Sequence, residues 1–234
     1  MKTLILVHGW GANGAVWRRQ VQAFQERLQV LTPDIPVWDP EWLGDYLQES
    51  SLADCLLVGW SLGGMLLLEV LARRAASPGG LALVGVPAVF CSRPDHPWGQ
   101  PLAAVRAMRL GLKTEPRKVL QDFAGSCLSP GEAAFQAEVS PLFPESDRAN
   151  LAAGLDYLRL RDLRPLLAQL AAPAAIIQGE QDAIVPPEQA RFLQEYLPGS
   201  SLHLLPGAGH MPFWTQAERF NGILAEILRN EAAA

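Results

Sequence analysis

A chain of 234 residues that is 49% hydrophobic and 18% charged can bury a large apolar core, so it needs neither a disulfide framework nor a structural metal to fold. Its net charge of −5 supplies no global field for nucleic acid, which excludes the whole chain as a nucleic-acid binder, although local basic patches can still exist. The three cysteines, Cys55, Cys91 and Cys127, are odd in number and lack CxxC spacing, which argues against a metal site or a secreted scaffold and for a reducing cytoplasm.

In chain order, residues 3–7 read as a buried strand that His8 and Gly9 end too early for a signal peptide. No apolar run approaches the roughly 20 residues of a membrane span. A helix is predicted over residues 16–27, a strand over 29–31, a helix over 41–49, a strand over 55–58, a helix over 64–76 and a strand over 81–86. From about residue 88 to 162 no strand is legible, and amphipathic stretches such as 102–112 and 117–123 are separated by Pro and Gly. This reads as a helical cap at 88–162 inserted into a core of 1–87 and 163–234, the alternative being an ordinary helical excursion packed on the sheet. A strand over 174–178, a helix over 187–196, a strand over 201–205 and a helix over 216–230 complete the order. Such alternation predicts an α/β fold, a mostly parallel central sheet flanked by helices on both faces.

Gly59, Trp60, Ser61, Leu62, Gly63 and Gly64 set a serine between glycines directly after a predicted strand and before a predicted helix. A serine at the tip of that turn sits in a strained backbone conformation, where neighbours bearing a Cβ would clash, and its hydroxyl is pushed into the open. A serine is a poor nucleophile at neutral pH unless a histidine base, itself oriented by a carboxylate, lies within hydrogen-bond reach.

Of the four histidines, His203 inside a strand run and His96 among Asp95, Pro97 and Trp98 read as structural or solvated, and His8 reads as a brace for its turn. His210, in a glycine-containing loop after the last strand, is the best candidate base. Asp182 follows the penultimate strand and would emerge at the same sheet edge, where ligand sites of open α/β sheets lie. Alternatively Asp182 only caps a turn before Pro186, with Glu180 as a rival; the order Ser, Asp, His favours Asp182. Acyl transfer also needs donors for the developing oxyanion, and the backbone N–H groups of Leu62 and of Trp10, in the turn His8, Gly9, Trp10, Gly11, are well placed.

On these residues the whole chain resembles the α/β-hydrolase superfamily. Within it, the chain is similar to the pimeloyl-[acyl-carrier protein] methyl ester esterases of biotin synthesis, through the HGWG turn, the tryptophan before Ser61, Arg93 with Asp95 and Trp98, Asp162 with Arg164, and His210 to Phe213. The resemblance implies a serine carboxylesterase with Ser61, Asp182 and His210 as its triad, an acyl-enzyme on Ser61, and Phe123 lining an acyl channel. It implies acyl carrier protein and small esters as partners, no metal or organic cofactor, and a cytoplasmic enzyme; a monomer is expected.

Two departures stand out. Val37, Trp38, Asp39 and Pro40 replace the family's usual glycine-containing turn and serine, and residues 123–147 lack the cap arginines on which the family docks its carrier. Arg106, Arg109, Lys113, Arg117 and Lys118 form a basic stretch just before, read either as a displaced docking patch or as a solvated helix face. Other readings are a general short-chain carboxylesterase, a lactonase or a carbon-carbon bond hydrolase on the same scaffold, and a non-catalytic ligand receptor that keeps the hydrolase fold.

Overall fold

The apolar runs form six strands: β1 (Thr3–Val7), β2 (Gln29–Leu31), β3 (Cys55–Trp60), β4 (Gly80–Val84), β5 (Ala175–Gly179) and β6 (Ser201–Leu205). In the computed structural model, which describes residues 1–170 and 172–230, they make one parallel sheet in the order β2-β1-β3-β4-β5-β6. Strands β3, β4 and β5 are buried along their whole length and β1 beyond Thr3, whereas the edge strands β2 and β6 are partly exposed. Burial on both faces is why the inner strands read as unbroken apolar runs rather than alternating ones.

The helices are α1 (Arg18–Phe24), α2 (Pro40–Gln48), α3 (Leu62–Arg74), α4 (Leu102–Thr114), α5 (Pro116–Ser126), α6 (Gln136–Val139), α7 (Arg148–Leu160), α8 (Arg164–Leu167), α9 (Pro187–Tyr196), α10 (Pro212–Thr215) and α11 (Ala217–Asn230). The chain steps one way from β1 to β2 and the other way at every later crossover, so right-handed connections place α1 on one face and α2, α3, α8 and α9 on the opposite one. Helix α11 joins α1, and α3 packs between α2 and α8. No helix among the described residues is long and apolar enough to cross a membrane.

Several predicted boundaries move, each for a local reason. The helix expected from residue 16 begins as a 3-10 turn, Gly14–Trp17, because Asn13 accepts the Ala15 N–H; α1 proper starts at Arg18 and ends at Phe24. Strand β4 stops at Val84 because Gly85, at φ +53°, turns the chain out of the sheet. Between β4 and α8 the chain runs through α4 to α7 with no named strand, and an isolated antiparallel bridge, Val89 to Asp162, brings the two ends of this excursion together.

Candidate active site

The sheet order reverses beside β1: β2 lies on one side of it and β3 on the other, which opens a crevice at their carboxyl ends. Ser61 leaves β3 at this edge with φ 53° and ψ −122°, a conformation that L residues rarely adopt. Two hydrogen bonds and the close approach of its flanking glycines fix it there. Its N–H donates to Val84 O at 2.9 Å, its carbonyl accepts from Met65 N at 3.0 Å, and a Cβ on Gly59 would lie 2.5 Å from the Gly64 Cα. The turn after β1 presses on the elbow equally closely, since a Cβ on Gly9 would lie 3.1 Å from the Ser61 Cβ and one on Gly63 2.2 Å from His8 O. Trp10 and Leu62 are thereby brought to the same corner, and neither backbone N–H is used by another protein group among the described residues.

Asp182 and His210 meet. The imidazole Nδ1–H donates to Asp182 Oδ2 at 2.7 Å, with both side chains buried. Asp182 Oδ2 also accepts from Gln178 Nε2 at 3.0 Å, while Oδ1 accepts the N–H groups of Ile184 and Val185, each at 2.9 Å. The turn-capping role and the histidine-orienting geometry therefore coexist on one carboxylate, and the rival Glu180 is exposed. Gly85 closes against the pair, because a Cβ there would lie 2.9 Å from His210 Nδ1 and 3.3 Å from Asp182 Oδ2. Since Gly85 follows Val84, whose carbonyl holds the Ser61 N–H, the elbow and the His210–Asp182 pair share one corner. His210 Nε2 is buried and has no hydrogen-bond partner among the described residues, and Ser61 Oγ makes no bond to it. Hydrogen bonds between a base and the group it would deprotonate are often long without substrate and tighten only when it binds.

The tryptophan before Ser61 contacts His210 directly. Its Nε1 donates to His210 O at 2.9 Å, and its ring lies 5.4 Å from the imidazole. Cys127 O accepts the His210 N–H at 2.8 Å. Burial, and after it the Asp182 charge, holds the Cys127 thiol well above its usual range, so it stays protonated. The other histidines sit apart from the His210–Asp182 pair. His8 donates from Nδ1 to Gly9 O and accepts the Ile35 N–H on Nε2, and burial lowers its pKa, so it stays neutral and braces the turn. His96 is buried against Gln189, and His203 meets Ser201 on the edge strand.

Trp10 and Phe123 form an edge-on pair with centroids 5.0 Å apart, continued by Phe143 and Trp60. Trp10 Nε1 also donates to Leu151 O in α7, and Trp38, from the departing turn, packs edge-on against His8 and beside Gly154. Phe123 lines an apolar cleft of about 360 Å³ between α4, α5 and the core, with Phe90, Val105, Met108, Val119 and Ile184; Ser61 is not on its wall. Of the basic stretch, Arg109 is bound by Asp156, Arg117 by Glu145 and Lys118 by Asp122, whereas Arg106 and Lys113 have no carboxylate partner among the described residues and share a surface cleft with Arg159.

Gln178, Gly85, Ser129 and Glu132 also pack against Asp182, His210 or the loop before His210, and sequence patterns did not single them out. Gln178 did leave a signal, as the lone polar side chain at the end of an apolar strand. The others have none that a local pattern carries.

Residues 4–223 match the profile of the alpha/beta hydrolase family, and the chain belongs to that family. A Chromobacterium violaceum protein named pimeloyl-[acyl-carrier protein] methyl ester esterase is 29% identical to it over 241 residues, covering 98% of this chain and 95% of its own length. A protein of the same name from Nitrosomonas europaea is 30% identical over 233 residues, covering 93% and 92%. Among solved structures, a bromoperoxidase from Bacillus anthracis has a TM-score of 0.88 at 22% identity over 97% of this chain and 92% of that one. An esterase from Exiguobacterium antarcticum has a TM-score of 0.88 at 22% identity over 98% and 92%. Proteins of such different activity sharing one scaffold shows that these two likenesses speak to the fold alone.

Proposed function

We propose that this protein is a serine carboxylesterase that hydrolyses the methyl ester of a pimeloyl chain carried on acyl carrier protein, in the cytoplasm, freeing the pimeloyl carboxylate and methanol. The hydrogen-bonded His210–Asp182 pair beside the strained Ser61 elbow carries the chemistry. The substrate rests on the full-length similarity to relatives of that name.

In this reading His210 Nε2 takes the Ser61 Oγ proton as Oγ attacks the ester carbonyl, and the oxyanion sits between the N–H groups of Trp10 and Leu62. The tetrahedral intermediate expels methoxide, which leaves as methanol with the proton from His210. Water, deprotonated by His210, then attacks the acyl-enzyme; Ser61 Oγ leaves and takes that proton from His210, and the pimeloyl carboxylic acid departs and ionises to the carboxylate in water. Asp182 holds the imidazole in the Nδ1–H tautomer throughout. Residues 88–162 act as the cap over a core of 1–87 and 163–234, with the apolar cleft at Phe123 receiving the acyl chain and the surface around Arg106 and Lys113 receiving the acidic carrier.

The test compares carrier-linked pimeloyl methyl ester with a free short-chain ester, using wild type and Ser61→Ala. The expected result is efficient cleavage of the carrier-linked ester and a loss of about 10⁴-fold or more in Ser61→Ala. Cleavage of the free ester alone would make this a general short-chain esterase. Turnover of neither would favour a ligand receptor.

A further inference from the structure

The loop that carries His210 is held from the segment after α5 as well as from its own sheet. Three of its backbone groups bind the cap segment that follows α5. His210 N–H donates to Cys127 O at 2.8 Å, Gly209 N–H to Glu132 Oε2 at 2.8 Å, and Gly207 O accepts from Ser129 Oγ at 2.7 Å. Glu132 Oε2 accepts the Ser129 N–H as well, at 2.9 Å, so one carboxylate oxygen clasps the cap segment and the loop together. The contact is close enough that a Cβ on Gly209 would lie 2.6 Å from Cys127 O and 2.9 Å from Glu132 Oε2.

Glu132 is only 6% exposed and has no basic partner among the described residues. Burying a carboxyl group is costly unless it is hydrogen-bonded, and here Oε2 takes two backbone N–H groups while Oε1 is buried with no partner among the described residues. One of those donors is the residue immediately before His210.

We propose that Glu132 is a positioning residue for His210, so that the cap holds the base in register with Ser61 in addition to shaping the substrate cleft. The imidazole is tied to Asp182 at Nδ1, and a loop released at Gly209 would pivot about that bond and carry Nε2 away from Ser61. Misplacing a reacting group by about 1 Å costs on the order of 10²-fold. The inference rests on Ser61, Asp182 and His210 working as a triad, and not on the identity of the carrier-linked ester.

The experiment measures p-nitrophenyl butyrate hydrolysis by Glu132→Ala, Glu132→Gln and Ser61→Ala, with active sites counted by fluorophosphonate labelling to completion. For Glu132→Ala, kcat per site should fall on the order of 10²-fold with KM little changed, and Glu132→Gln, which keeps an acceptor oxygen, should restore most of it. A purely structural role would lower the number of labelled sites and the melting temperature while leaving kcat per site at the wild-type value, and that result overturns the proposal. So does a change confined to KM, or a Glu132→Gln loss as deep as that of Glu132→Ala. Should Glu132→Ala fail to fold, Glu132→Asp decides: its carboxylate is drawn back by one methylene, the same fall in kcat is expected, and wild-type kcat overturns the idea. Residual activity in Ser61→Ala would instead count against the triad itself.

Discussion

Asp182 divides its two oxygens between the turn and His210. Oδ1 closes the turn through Ile184 and Val185, and Oδ2 receives His210 and Gln178, which together use about the four acceptor sites a carboxylate offers. Asp182→Asn keeps an oxygen for the turn but turns an N–H2 toward Nδ1, which forces the imidazole into the wrong tautomer. We expect kcat to fall about 10⁴-fold while far-UV circular dichroism stays that of wild type. Wild-type turnover in this variant would remove Asp182 from the triad.

The elbow is a property of an element pair, α3 against the turn after β1, rather than of Ser61 alone. Helix α3 is buried all round from Leu62 to Ala72, and it carries Glu69 into the interior, where Arg73, Arg161 and the Tyr157 hydroxyl of α7 bind it. Burial, then the hydrogen bond to Glu69, pushes the Tyr157 hydroxyl far above its usual range, so it remains a donor. The start of the helix can approach β1 only because Gly63 lacks a Cβ, which would sit 2.2 Å from a main-chain oxygen that has nowhere to go. Gly63→Ala should therefore part Trp10 from Leu62. It should cost about 1–3 kcal/mol in urea unfolding and lower kcat by about 10²- to 10³-fold. A variant with unchanged midpoint and unchanged kcat would show that the close approach is dispensable.

At the scale of the whole molecule, the excursion between β4 and β5 is clipped at its base. Asp162 binds Arg93 and Arg164, Arg164 reaches Asp95, and the bridge from Val89 to Asp162 lies between them. Hydrogen bonding to Arg164 holds the Asp162 carboxyl below the usual range. Four residues that look like scattered family matches in the sequence are thus one ion network at the two ends of this excursion. Its outer surface supplies the docking test. Arg109, Arg117 and Lys118 are already neutralised by carboxylates, so charge reversal belongs at Arg106 and Lys113. Arg106→Glu with Lys113→Glu should lower kcat/KM for the carrier-linked ester about tenfold at low salt, and less at high salt, with free-ester hydrolysis unchanged. Equal losses on both substrates would sink the docking assignment.

Strands β1, β3, β4 and β5 were legible in the sequence because burial on both faces demands continuous apolar runs, and the elbow was legible because only glycine fits around a serine held at φ 53°. Residue order along the chain then pointed to Asp182 and His210, since crossover connections deliver successive strand ends to one edge. Tertiary structure alone decided the rest. Local periodicity says nothing of contacts between distant segments, such as Glu132 with Gly209, 77 residues apart, or Arg109 with Asp156, 47 apart. The first ties the segment after α5 to the loop that carries His210, and the second neutralises a cation that the sequence shows as free. Both depend on where α4 to α7 come to rest on the sheet, a packing choice set by the summed apolar surface of the whole chain rather than by any one stretch of it.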